Sequence, residues 1–215
     1  GSEMCIRDRQ YTTQTDSIAR RSAQTALFHI AEALCRWLAP ILSFTADEIW
    51  QYMPGERGES VQLETWYPHL FELDQSEPMN MDFWQQVLET RSTVSKQLET
   101  LRVDNRIGSS LDAEVSVYCN GELRQNLDRL EDELRFVMIT SDAHVGAPDA
   151  KPDDAVEARL TSGETIYIKA TPSDHSKCVR CWHHRADVGR DAAHPELCGR
   201  CVENVAGDGE ARRFA

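Results

Sequence analysis

The sequence predicts a mainly α-helical protein in which an antiparallel helical bundle is followed by a small mixed α/β unit and a C-terminal zinc-knuckle module. Three observations predict it. Residues 10–105 hold three long segments with apolar residues three and four apart. After Gly108-Ser109-Ser110 the apolar period shortens to two. The final stretch carries the spacing C-x2-C-x16-C-x2-C. The domains expected are a helical bundle over 10–107, an α/β unit over 108–172 and a zinc-binding module over 173–215. Residues 1–9, with the abrupt Met4 and no apolar periodicity, are set aside as a non-native or truncated N-terminus.

From Asp16 to Ile41 the residues Ile18, Leu27, Ile30, Leu34, Trp37, Leu38 and Ile41 fall on one face, which predicts a long amphipathic helix bent or ended near Pro40. In SFTADEIWQYMPG, Thr45 and Glu48 have capping-box spacing, Ile49, Trp50 and Met53 supply the apolar face, and Pro54-Gly55 stops the helix. Residues 55–80 read as a packed loop anchored by Trp66, Tyr67 and Phe71. A third helix is expected from Asp82 to Val103, with Phe83, Val87, Leu88, Val94, Leu98 and Leu101 inward. Each stripe needs a partner to bury it, so the three helices are read as an antiparallel bundle.

In the α/β unit, LDAEVSVYC alternates as a strand and GELRQNLDRLEDELR is a short helix. RFVMITSDAHV reads as a second strand and ETIYIKATP as a third, with GAPDAKPDDA a mobile polar loop between them.

Hydrophobic residues make up 40% and charged residues 27% of the 215, and no apolar run approaches the ~20 residues of a membrane span. A soluble protein is expected. Seven cysteines, four of them in two tight pairs, do not form a secreted disulfide framework and point to a reducing cytoplasm. Cys35 and Cys119 are read as buried thiols acting as small hydrophobes. The net charge of −13 is uneven: residues 175–215 carry seven Lys/Arg against six Asp/Glu, so the rest of the chain holds −14. Overall acidity slows encounter with nucleic acid without preventing a local basic face from holding phosphate.

Cys178, Cys181, Cys198 and Cys201 are the candidate ligands of one structural zinc. Each CxxC sets two sulfurs on a tight turn, and four thiolates close the tetrahedron with no position left for a catalytic water. Gly199 is read as supplying a left-handed knuckle residue. A redox pair would need a CxxC at a helix start in a βαβ frame. Mixed ligation by His175, His183, His184 or His194 competes with the four-cysteine set. Trp182 either pads the zinc hairpin or offers an unstacked RNA base a platform beside Arg180 and Arg185. Arg20, Arg21 and Arg36 are solvated helix charges by default, with RNA phosphate as the alternative. No catalytic constellation can be argued from spacing.

DRQYTTQTDSIARRSAQTALFHIAEALCRWLAPILSFTADEIW resembles the anticodon-binding bundle of class I aminoacyl-tRNA synthetases, and CVRCWHH with CGRCVENVAGDGEARRFA resembles the C-terminal zinc module of bacterial isoleucyl-tRNA synthetases. APILSFTADEIW would also fit the valine, leucine and methionine enzymes; the zinc tail with its closing GDGE narrows the resemblance to isoleucine. The resemblance implies part of a cytoplasmic, monomeric, ATP-dependent ligase that charges the isoleucine tRNA. The His-Ile-Gly-His and Lys-Met-Ser-Lys-Ser signatures of its nucleotide-binding core are not in this chain, so ATP belongs to the full-length enzyme and the chain alone is expected to be inactive. By the same resemblance Cys178, Cys181, Cys198 and Cys201 hold zinc, and Arg180 and Trp182 contact the anticodon region. Without it, the same architecture also suits a zinc-stabilised protein-binding adaptor.

Overall fold

A computed structural model describes residues 10–70 and 72–214. Residues 1–9, including Cys5, and the expected anchor Phe71 lie outside the described residues. The chain divides into two compact units, Arg20–Leu73 and the remainder.

Helix α1 spans Ile18–Leu38, all but its first two residues lying in the Arg20–Leu73 unit, and α2 spans Ser43–Tyr52. The first ends just before Pro40, as expected from the steric limits on a residue preceding proline. Helix α2 begins three residues earlier than its capping-box spacing suggests, with Leu42 and not Thr45 at the N-cap. The reason is local continuity: Leu42 N–H bonds back to Leu38 and Ala46 N–H to Leu42, so the turn runs straight into the helix. The core here is small, formed by Cys35, Ala39, Ala46, Trp50 and Val61. Cys35 is a buried thiol donating to the Ala46 carbonyl at 3.0 Å. The large stripe expected to face inward is open instead, with Ile30 50% and Trp37 41% exposed. Tyr67 anchors its loop through its hydroxyl, 2.6 Å from His29 Nδ1, whereas Trp66 is 76% exposed.

Arg36 is no solvated charge. Its guanidinium pairs with Glu32 and lies 4.7 Å over the Trp50 ring, while Arg57 meets the other Glu32 oxygen at 2.6 Å.

The second unit is built on a four-stranded sheet of order β2-β1-β4-β3, with β1 Ala113–Tyr118, β2 Asp142–Gly146, β3 Val156–Arg159 and β4 Thr165–Pro172. β1 pairs parallel with β2 and antiparallel with β4, and β3 closes the edge antiparallel to β4. A long helix, α3 (Met81–Val103), is capped by Asn80, whose side-chain oxygen accepts the Phe83 N–H at 3.0 Å. Its Phe83, Val87, Val94, Leu98 and Leu101 share one core with Val115, Val117, Ile166 and Ile168 of the sheet. The stripe expected to face other helices is therefore buried by β-structure, each large side chain contributing about 1.5–3 kcal/mol.

Between β1 and β2 the chain forms α4 (Gly121–Asp128) and α5 (Leu134–Met138). The strand expected from Arg135 onward starts only at Asp142, because Leu134, Phe136, Val137 and Met138 are all buried as a helical turn and Ile139 ends it in the left-handed region (φ 60°). An apolar run buried on every side carries no period to tell strand from helix. β3 is an edge strand with no alternation to reveal it, three of its four residues being exposed and all four paired only with β4. No helix among the described residues is long and apolar enough to cross a membrane.

Candidate metal centre

After β4 the chain enters the cysteine-bearing module. The first pair lies on a tight hairpin: Trp182 N–H donates to the Cys178 carbonyl and Cys178 N–H to the His183 carbonyl, both at 2.9 Å. Trp182 itself takes the left-handed conformation (φ 66°), uncommon for a bulky residue and held only where the surroundings dictate it. The second pair opens α6 (Gly199–Ala206), with Cys198 as N-cap. Gly199 is thus helical and not left-handed. What requires glycine there is space, since a Cβ would lie 2.7 Å from Asp187 Oδ2, which accepts the Gly199 N–H at 3.0 Å.

These two turns bring the four sulfurs within 4.8 Å of one another, all buried. Cys181 and Cys198 sulfurs are 3.7 Å apart. A tetrahedron with 2.3 Å zinc–sulfur bonds has an edge of about 3.8 Å. Cys198 N–H points at Cys178 Sγ at 3.4 Å, and Arg180 Nη1 lies 3.8 Å from Cys201 Sγ, so donors already face the sulfurs. Hydrogen bonds shared among the four thiols push Cys178 far below the ordinary thiol range and Cys181, Cys198 and Cys201 well above it, so the cluster as a whole favours one thiolate held by its neighbours. The donor set, spacing and burial all fit zinc, which when bound would cross-link two turns that have little apolar core of their own. Among the described residues, Val188 and Leu197 alone pack against the cysteines as partly buried hydrophobic residues.

No histidine belongs to this group among the described residues. His183 is 1% exposed and stacks edge-on against Phe136 at 5.7 Å. Burial, reinforced by Arg135, Arg200, Arg185 and Arg212, pushes its pKa down to about 3, so it stays neutral. His184 pins the hairpin to the sheet: its N–H donates to Ser141 Oγ at 2.6 Å and its Nδ1–H to the His175 carbonyl at 2.7 Å.

Arg180 points inward, its Nη1 bonded to the Thr12 carbonyl as well as facing Cys201. Trp182 is half-buried, with Lys177 Nζ 5.5 Å from its ring centre. Arg185 is drawn to Asp142, 3.4 Å away, and to the Ser141 carbonyl.

Spacing gave no sign of a second layer around the centre. Arg135, Arg200 and Arg212 surround the Phe136 ring at 4.4, 5.2 and 3.9 Å. Glu210 ties Arg200 at 2.7 Å and Arg212 at 3.3 Å. Burial, with the like charge of Arg200 beside it, brings Arg212 down to about 10 against the opposing pull of Glu210. The one trace in the sequence is GDGE, which supplies Glu210 and a φ of 93° at Gly209.

Residues 4–117 match a family described as the anticodon-binding domain of tRNA ligase, and residues 176–204 match a zinc finger found in FPG and IleRS. The chain is 61% identical to the isoleucine–tRNA ligase of Thioalkalivibrio sulfidiphilus over 210 residues, 98% of this chain and 22% of that protein. With the same coverage it is 58% identical to the isoleucine–tRNA ligase of Alkalilimnicola ehrlichii and 52% to that of Pseudomonas aeruginosa. The chain thus spans about a fifth of the length of these curated relatives.

Proposed function

As this chain belongs to the anticodon-binding domain family of tRNA ligases, we propose that it is the tRNA-recognition part of a cytoplasmic, monomeric isoleucine–tRNA ligase. The observation that carries this is one chain holding both matches in order, the anticodon-binding domain and then the zinc finger. In this reading ATP-dependent attachment of isoleucine is performed by other parts of a longer protein. The adaptor reading loses its ground with the family match.

Cys178, Cys181, Cys198 and Cys201 are the proposed zinc ligands, supported by their mutual distances and burial. Trp182 is the proposed stacking residue for a base of the anticodon region, supported by its partial exposure beside Lys177. Arg180 is proposed to reach RNA only through guanidinium donors other than those facing Thr12 and Cys201. The bundle expected over 10–107 is proposed to involve α1 and α2 with further helices, supported by the open stripe of Leu27, Ile30, Leu34 and Trp37.

The test is titration of the chain with an isoleucine tRNA transcript and with the same transcript carrying another anticodon. Preferential binding to the first, weakening as salt rises, is the expected outcome. Trp182→Ala is expected to weaken it by about 1–3 kcal/mol, the loss of one base–aromatic stack. Equal affinity for both transcripts would overturn the reading.

A further inference from the structure

Both cysteine pairs read C-x-R-C: Arg180 precedes Cys181 and Arg200 precedes Cys201. The two guanidiniums converge on one residue far away in the chain. Arg180 Nη1 donates to the carbonyl oxygen of Thr12, and Arg200 Nη2 donates to the Thr12 hydroxyl at 2.8 Å. Arg180 is at the same time 3.8 Å from Cys201 Sγ, and Arg200 is fixed from its other edge by Glu210 at 2.7 Å. A third contact lies alongside, Gln14 Nε2 donating to the Gly207 carbonyl at 2.9 Å. Gly209 approaches Gln14 so closely that a Cβ would stand 2.8 Å from its side chain. Thr12 and Thr13 are only 4% and 3% exposed, although they precede α1 and belong to no long helix or strand. Ile18 and Ala19, the first residues of α1, belong to the same compact unit as the cysteine module.

We propose that Arg180 and Arg200 are positioning residues that couple metal loading of the four-cysteine centre to the segment Gln10–Ser17 leading into α1. The physical reason is twofold. Four thiolates around a divalent ion leave a net −2, and the half-buried Arg180 and the largely enclosed Arg200 beside them are held by that charge. Each arginine also sits inside a ligand pair, so the turn geometry that aims it exists only while both flanking cysteines are fixed. When the metal leaves, the turns that aim the two arginines are released, and Thr12 loses two hydrogen bonds. This coupling goes beyond the tRNA-recognition reading and does not rest on it.

Hydrogen exchange followed by mass spectrometry on the whole chain, without RNA, tests it. Peptides covering 10–17, 113–118 and 178–204 are compared in the zinc-loaded and chelated protein, with zinc content measured in parallel. The expected result is that chelation speeds exchange in 10–17 by about tenfold, the effect of losing one or two net hydrogen bonds, and leaves 113–118 unchanged. Arg180→Met, still holding one zinc, is expected to show the same acceleration in 10–17, and Arg180→Lys to restore part of the protection. Should Arg180→Met disturb 113–118 as well, Thr12→Val serves instead: it removes the hydroxyl that Arg200 holds at nearly constant volume, and is expected to speed 10–17 several-fold. The proposal is overturned if chelation loosens 178–204 while 10–17 stays protected. Full protection of 10–17 in the zinc-loaded Arg180→Met or Thr12→Val protein, or a chain that binds no zinc, overturns it equally.

Discussion

Glu32 is a carboxylate with 5% of its side chain exposed, gripped by Arg57 on one oxygen and Arg36 on the other. Burial raises its pKa, but the hydrogen bonds from Arg57 and Arg36 outweigh that and hold it below its ordinary 4.5. A carboxyl more acidic when folded than unfolded stabilises the fold above its unfolded pKa, and that stability is lost as pH falls through the folded value. The Arg20–Leu73 unit is therefore expected to weaken below about pH 4.5, and Glu32→Gln to cost roughly 3–5 kcal/mol at neutral pH by leaving two buried guanidiniums under-paired. Denaturant titration followed by Trp50 fluorescence reads both, and a variant as stable as the parent refutes the ion-pair account. At Gly199 the expected effect is steric. Gly199→Ala should lower zinc affinity, and adding Asp187→Ala should recover part of it, because the clash is with that one carboxylate. The four cysteines were legible in the sequence because metal ligation imposes local spacing. Thr12, Glu210 and the arginines around Phe136 were not, because their partnerships join residues up to 188 positions apart and leave no period behind.

Among the elements, α3 shows how a correct helix can be given the wrong neighbour. Its length and its inward residues other than Leu88, which is 50% exposed, follow from the 3.6-residue period, but amphipathicity says only that a face is buried, never against what. The sheet takes that face, and Leu98→Ala is expected to cost about 2–5 kcal/mol. The loss should appear as faster hydrogen exchange in β1 and β4. Exchange unaltered in both strands would mean that the helix and sheet do not share a core. The strands β1 and β4 were legible from their alternation. α5 was read as a strand because five consecutive buried residues erase the pattern that distinguishes the two. Helix α1 fails in the opposite sense: its small residues Ala33 and Cys35 are buried while the larger stripe stays open. Volume patterns of this kind depend on how near two helices approach, which is a tertiary quantity.

For the whole molecule, two compact units with separate cores predict separate responses to metal removal. Chelation should loosen residues 173–214, whose own core is little more than the cysteines, while the Arg20–Leu73 unit, followed by hydrogen exchange of its peptides through a denaturant series, keeps its denaturation midpoint. A shift of that midpoint on chelation would show that the units do not stand independently. The bonds between Gln14 and Gly207 and between Thr12 and Arg200 span 193 and 188 residues. Closing so long a loop is costly in entropy, though the cost grows only slowly with length. Its larger consequence concerns order of events during synthesis. A ribosome releases Thr12 long before the cysteine module, so the bonds that Arg180 and Arg200 make to Thr12 form only after nearly two hundred further residues have emerged, and the stretch before α1 acquires these contacts as one of the last events of folding.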